Sequence, residues 1–134
     1  MNFSQIDHIA IICSCYDSAI RFYRDILGFS VISEIRREDK EDILVRLRVN
    51  GTTELELFIK SNAPQRPSWP EARGLRHLAF TVKDINEAVN MLAEKGVFCE
   101  EIRFEADGSR FTFFSDPDGL PLEIHERKNY ATCK

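Results

Sequence analysis

Cysteine, proline and glycine are scarce in this 134-residue chain, at four, five and six residues. Cys13, Cys15, Cys99 and Cys133 are too few and too scattered for a disulfide scaffold. Cys13 and Cys15 would share one face of a strand, and both are expected to pack as small apolar side chains rather than to ligate a metal. Long apolar runs are missing as well: the longest uncharged one, residues 9–15, is far too short to span a bilayer. There is no excess of basic residues. Lys and Arg total 18 against 22 Asp and Glu, a net charge of −4, with no basic run to hold nucleic acid or an anionic membrane. The first residues carry Asp7 and lack a basic-then-apolar signal, so a cytoplasmic location is expected. With 43% apolar and 30% charged residues, the composition suits one globular domain and excludes a disordered chain.

What is present is a pattern written twice. Residues 7–12 alternate, with Ile9 and Ile11 on one face of a strand and His8 and Ala10 on the other. Asp17 or Ser14 can cap a helix whose apolar stripe is Ala19, Ile20, Phe22, Tyr23, Ile26 and Leu27, with Gly28 as its stop. Strands are expected over 29–35, 43–49 and 52–59. Residues 36–42 read as a loop, and Asn50-Gly51 is a strong signal for a tight hairpin.

Residues 61–74, with Pro64, Pro67 and Pro70, read as a linker. The order then restarts. Residues 76–82 alternate, and Asp84 with Glu87 resembles a capping box. Ile85, Ala88, Val89 and Leu92 form the next stripe, and Gly96 ends it. Strands follow over 97–102, 110–115 and 120–126, the last two joined by the turn Asp116-Pro117-Asp118-Gly119. His8 aligns with His77 at an offset of 69, and Leu55-Glu56-Leu57 with Leu122-Glu123-Ile124 at 67. Such a spacing indicates a duplicated β-α-β-β-β unit.

Each half therefore offers one His in its first strand and one Glu in its last. Parity sets His8, Glu56, His77 and Glu123 opposite the apolar faces, so all four are expected to emerge on the other side of the sheet. Two imidazoles and two carboxylates form a donor set for a borderline divalent metal, leaving room for water or substrate oxygens. Glu54 and His125 stand two residues from Glu56 and Glu123 and rank as supporting or solvent groups outside that set. Lys60, Arg48, Arg76 and Arg110 could meet an anionic substrate but read as solvated charges. Trp69 could pack over a site edge, but anchoring the linker is its expected job.

Several motifs add a family resemblance. Phe22-Tyr23 followed by Asp25-Ile26-Leu27-Gly28-Phe29, the stretch from Arg66-Pro67-Ser68 to Gly74-Leu75-Arg76-His77-Leu78-Ala79-Phe80, and the hairpin from Arg110-Phe111-Thr112-Phe113-Phe114 to Asp116-Pro117-Asp118-Gly119-Leu120-Pro121-Leu122-Glu123 resemble the vicinal oxygen chelate superfamily. That superfamily includes glyoxalase I, epimerases, extradiol dioxygenases and antibiotic-resistance proteins. The likeness is greatest to its small bacterial glyoxalase I-like, lactoylglutathione-lyase-like members.

The resemblance implies an α+β fold of tandem βαβββ modules, the glyoxalase/bleomycin-resistance/dioxygenase fold, with a curved mixed sheet around a metal site. It implies one domain over residues 1–134, with module 1 at about 5–60, a linker at 61–74 and module 2 at about 75–126. It places the metal ligands on His8, Glu56, His77 and Glu123, for a divalent ion drawn from Ni, Zn, Co, Mn or Fe.

By the same resemblance the activity is a glyoxalase I-type lyase or isomerase. The metal polarises a carbonyl and stabilises an enediolate, Glu123 takes the proton, and Glu56 returns it. Ile12 and Lys60 stand where the glutathione-using enzymes carry Arg and Asn, which argues against a glutathione hemithioacetal. The alternatives on this fold are a fosfomycin- or bleomycin-type resistance protein and an iron-dependent extradiol dioxygenase. A homodimer acting on a small molecule, with sites shared between chains, is the expected assembly.

Overall fold

A computed structural model describes residues 1–128, which leaves Cys133 outside the described residues. The chain divides into two compact units, Met1–Gln65 and Arg66–Lys134. In the first, β1 (His8–Cys13) leads through a helical segment to β2 (Ser30–Arg37), β3 (Asp42–Arg48) and β4 (Glu54–Ile59). Their order in the sheet is β1-β4-β3-β2, with β1 parallel to β4 and the other pairs antiparallel. The second unit repeats the scheme with β5 (Leu78–Thr81), a helix, β6 (Arg103–Phe104), β7 (Arg110–Ser115) and β8 (Pro121–Glu126), ordered β5-β8-β7-β6. Each unit thus has its own four-stranded mixed sheet, as the duplicated βαβββ pattern requires. The registers agree too: Ala10 pairs with Glu56, and Ala79, at the matching place, pairs with Glu123.

Alternation in β4 does what the sequence implies. Leu55, Leu57 and Ile59 are buried, while Glu54, Glu56 and Phe58 are only half-buried. Burying each leucine contributes about 1.5–3 kcal/mol. Ile20, Phe22, Tyr23 and Ile26 add to the core of this unit. In the second unit Ile85, Leu92, Phe114, Leu122 and Ile124 are buried. Helix α2 (Ile85–Glu94) starts as expected, with the Asp84 carboxylate accepting from the N–H groups of Asn86 and Glu87 at 2.9 and 3.1 Å.

Several local expectations are corrected. The first helix is α-helical only over α1 (Tyr16–Ile20) and then widens into a π-helical stretch, Arg21–Ile26. The Leu27 N–H reaches back five residues to the Phe22 carbonyl at 2.9 Å. Phe22 and Tyr23 are sequence neighbours, both buried and edge-to-face at 5.0 Å, and the wider turn lets both rings reach the core. Neither Asp17 nor Ser14 is the cap. Cys15 holds that position without a side-chain bond, and Asp17 lies in the first turn, where its charge suits the helix dipole. Cys13 packs as expected, whereas Cys15 follows the end of the strand and is exposed.

The hairpin at Asn50-Gly51 forms, but not as a two-residue turn. The Asn50 side-chain oxygen accepts from the Thr52 and Thr53 N–H groups at 2.8 and 2.9 Å, which delays β4 to Glu54. Residues 97–102 do not form a strand. The Val97 N–H is taken by the Leu92 carbonyl as the helix closes, and Glu100 N–H bonds to the Phe113 carbonyl, so ladder pairing with β7 begins only at Arg103. Among the described residues no helix is long and apolar enough to cross a membrane.

Candidate metal and carboxylate site

In the first unit His8 opens β1 opposite Glu54, and Glu56 lies in β4 two pairing steps further along. The His8 Nδ1–H donates to the Asp7 carboxylate at 2.8 Å, and Nε2 faces Glu56 Oε1 at 3.7 Å. The bond to Asp7, reinforced by the charges of Glu56 and Glu54, raises the His8 pKa above its ordinary value. A ring fixed at Nδ1 by a carboxylate leaves Nε2 as the atom to offer a cation. Glu54 is engaged elsewhere, accepting from Arg46 at 2.7 Å and Arg48 at 3.3 Å, which fits its place outside the ligand set.

The second unit is built differently around the same pair. His77 Nε2 lies 3.1 Å from Glu123 Oε1, and the other carboxylate oxygen, Oε2, is 2.6 Å from His125 Nδ1. Glu123 and His125 are both buried, at 8% and 7% exposure. His125 is therefore a partner of Glu123 and not a solvent group. Its ring stacks on Phe111 with centroids 5.7 Å apart, and His77 meets Phe113 edge-on at 5.0 Å. Two buried ring nitrogens, His77 Nδ1 and His125 Nε2, have no hydrogen-bond partner.

A cleft of about 730 Å³ opens over this pair, with His77, Glu123, Phe111, Phe113, Arg103 and Trp69 among its walls. The Arg103 guanidinium lies 5.2 Å from the centre of the Phe111 ring and 5.5 Å from that of Phe113. Trp69 is 83% exposed at the cleft edge, so it does not anchor the linker. The four cations considered for an anionic substrate are all paired with carboxylates. Lys60 binds Asp42, Arg48 binds Glu54, Arg76 binds Glu71 and Arg110 binds Glu126.

The structure thus joins His8 with Glu56, and His77 with Glu123. Among the described residues no group of three or more His, Cys, Asp or Glu side chains is placed to hold a metal ion. Of the two roles open to His125, supporting or solvent, the bond to Glu123 fits the supporting one, while sequence reasoning missed the aromatic wall beside it. The alternation of Phe111 and Phe113 in β7 carried that signal, because both share a face with Glu123 and His125.

A family model described as the Glyoxalase/Bleomycin resistance protein/Dioxygenase superfamily matches residues 5–124. The chain belongs to this superfamily. Among its relatives, the uncharacterized protein YwkD of Bacillus subtilis (strain 168) is 49% identical over 128 residues, covering 95% of this chain and 100% of that protein. The crystal structure of the glyoxalase family protein from Enterococcus faecalis superposes with a TM-score of 0.89 at 49% identity, covering 94% of this chain and 100% of that one. More distant is the mitochondrial methylmalonyl-CoA epimerase of Homo sapiens, 26% identical over 141 residues, covering 93% of this chain and 75% of that protein. The paired His and Glu of each βαβββ unit are therefore read within a superfamily that has an epimerase among its members.

Proposed function

We propose that this chain is a divalent-metal-dependent lyase or isomerase of glyoxalase I type. Its substrate would be a small 2-oxo or 2-hydroxy compound, or a hemithioacetal, that loses a proton from the carbon next to a carbonyl. The observation that carries this reading is the Glu123 carboxylate on the wall of an open cleft, with one oxygen held by His125 and the other turned toward His77. Family membership and the epimerase relative support it.

His8, Glu56, His77 and Glu123 are the proposed ligands, acting as one domain in which each unit supplies a His and a Glu. The donor chemistry fits: two imidazole nitrogens and two carboxylates suit a borderline ion such as Ni, Zn, Co, Mn or Fe. The bond to Asp7 gives the His8 ring of the first unit a fixed direction, and in the second His77 Nε2 lies 3.1 Å from Glu123 Oε1. When bound, such an ion polarises the substrate carbonyl and makes the neighbouring C–H more acidic. Glu123 Oε1 is the proposed proton acceptor, and Glu56, more open at 20% side-chain exposure, returns the proton to the adjacent carbon. Phe111 and Phe113 shield the carboxylate from water on one side. The reading does not require glutathione, because Ile12 carries no charge and Lys60 is committed to Asp42.

A C₂ homodimer with two sites is the proposed assembly, with His8 and Glu56 of one chain meeting His77 and Glu123 of the other. The decisive test of the chemistry is exchange of the substrate C–H for deuterium in D₂O, followed by NMR on metal-loaded protein with hemithioacetals, 2-oxo acids and epimerisable thioesters. Glu123→Gln should slow exchange by about 10²–10⁴-fold, the usual contribution of a positioned general base. Exchange that is unchanged in Glu123→Gln would refute the assignment.

A further inference from the structure

The two carboxylates of the duplicated unit are not equivalent, and the difference lies in one residue. In β8, His125 pairs across the sheet with Phe111; in β4, the matching pair is Phe58 with Leu44. Where the first unit carries Phe58, beneath the Arg37 guanidinium at 5.0 Å, the second carries an imidazole bonded to its own Glu. We propose that His125 is the positioning residue that fixes which oxygen of Glu123 faces the cleft. This deepens the proposed function and rests on its reading of Glu123 as the reacting carboxylate.

With Glu123 as the proton acceptor of the proposed function, its carboxylate accepts in the 2.6 Å bond and the proton belongs to His125 Nδ1. Nε2 is buried without a partner, and in the Nδ1–H tautomer it is an unshared lone pair rather than a stranded N–H. The ring is held on its face by Phe111, 23° from parallel, and on its edge by Glu123. A Glu side chain ends in a torsion with broad, two-fold preferences, which leaves a free carboxylate able to exchange its oxygens. Engaging Oε2 removes that freedom and leaves Oε1, 3.1 Å from His77 Nε2, as the oxygen presented to a cation and a carbon acid. Glu56 faces His8 at 3.7 Å, and two residues along its strand stands the apolar Phe58 in place of an imidazole.

Two substitutions separate donation from packing. His125→Phe keeps a ring against Phe111 and reproduces the residue of the first unit, while removing the donor. His125→Asn places an amide N–H where Nδ1–H stands. Co²⁺ affinity measured by titration calorimetry should weaken by about 10–100-fold in His125→Phe, the range for losing such a supporting bond, and stay within about threefold of wild type in His125→Asn. In metal-free wild-type protein, long-range ¹H–¹⁵N correlation should show His125 as the Nδ1–H tautomer, a reading that does not depend on either variant folding. Equal affinity in His125→Phe, an equal loss in both variants, or an Nε2–H tautomer would overturn the proposal. Failure of wild-type protein to take up Co²⁺ would instead refute the proposed function, and the tautomer would then decide the role of His125.

Discussion

Thr112→Val tests why residues 97–102 stay against the second sheet without being a strand of it. Thr112 is completely buried, and its hydroxyl donates to the Glu100 carbonyl at 2.7 Å. With the Glu100 N–H bonded to the Phe113 carbonyl at 2.9 Å, this makes two bonds from neighbouring residues of β7 to one residue of the segment. Valine matches threonine in shape, so the substitution removes the donor and opens no cavity. A hydrogen bond contributes about 0.5–1.5 kcal/mol net, and a carbonyl left without its buried partner adds to the loss. Because Glu100 itself is exposed, water can recover part of that, and we expect a cost of about 1–2 kcal/mol. At this chain length each kcal/mol lowers Tm by about 3–5 °C, a total of roughly 3–10 °C by calorimetry. Amide exchange at Glu100 should also speed up, while exchange in the middle of α2 should not. A Tm within 1–2 °C of wild type with unchanged exchange at Glu100 would refute this account of the segment.

Two other expectations concern charge and assembly. The Asp42 carboxylate is gripped by Arg37 through Nε and Nη2 at 2.7 and 2.6 Å and by Lys60 at 2.7 Å, and these bonds hold its pKa well below the usual carboxylate range. A carboxylate with a lowered folded pKa stabilises the fold above its unfolded pKa of about 3.9, and that contribution is lost as pH falls further. Below about pH 4 the Tm of wild type should therefore drop more steeply than that of Asp42→Asn; parallel curves would contradict the pairing. The proposed C₂ assembly predicts a dimer mass by light scattering, and a monomer across the micromolar range would rule out the site shared between chains.

Much of the fold was legible because the signals were local and repeated. Alternation in β1 and β4 assigned faces to His8 and Glu56, and the offsets of 69 and 67 matched the registers that place Glu56 and Glu123 alike. Asp84 announced α2 through a cap that needs only neighbouring residues. What escaped depends on packing or distant partners. The π-helical turn answers to two adjacent buried aromatics, a pattern an ordinary α-helix also accommodates. In 97–102 the alternation is real, but the Val97 N–H is already taken by the helix end. His125 has no counterpart in the other half to single out its supporting role, and β8 buries residues on both faces, from Leu122 to His125, where simple alternation leaves one face open. The cations at 48, 60, 76 and 110 each find a carboxylate 5 to 18 residues away, through strand pairing or loop geometry that a linear reading does not reveal.

The central claim is that the His–Glu pairs of both units hold one divalent cation. Its most direct test is elemental mass spectrometry on untagged protein purified without chelator, alongside His8→Ala and His77→Ala. The account predicts close to one metal ion per chain in wild type and a marked loss in both variants, since each removes one of four donors. Full occupancy in His8→Ala, or wild-type protein that neither carries nor accepts a metal, would contradict it.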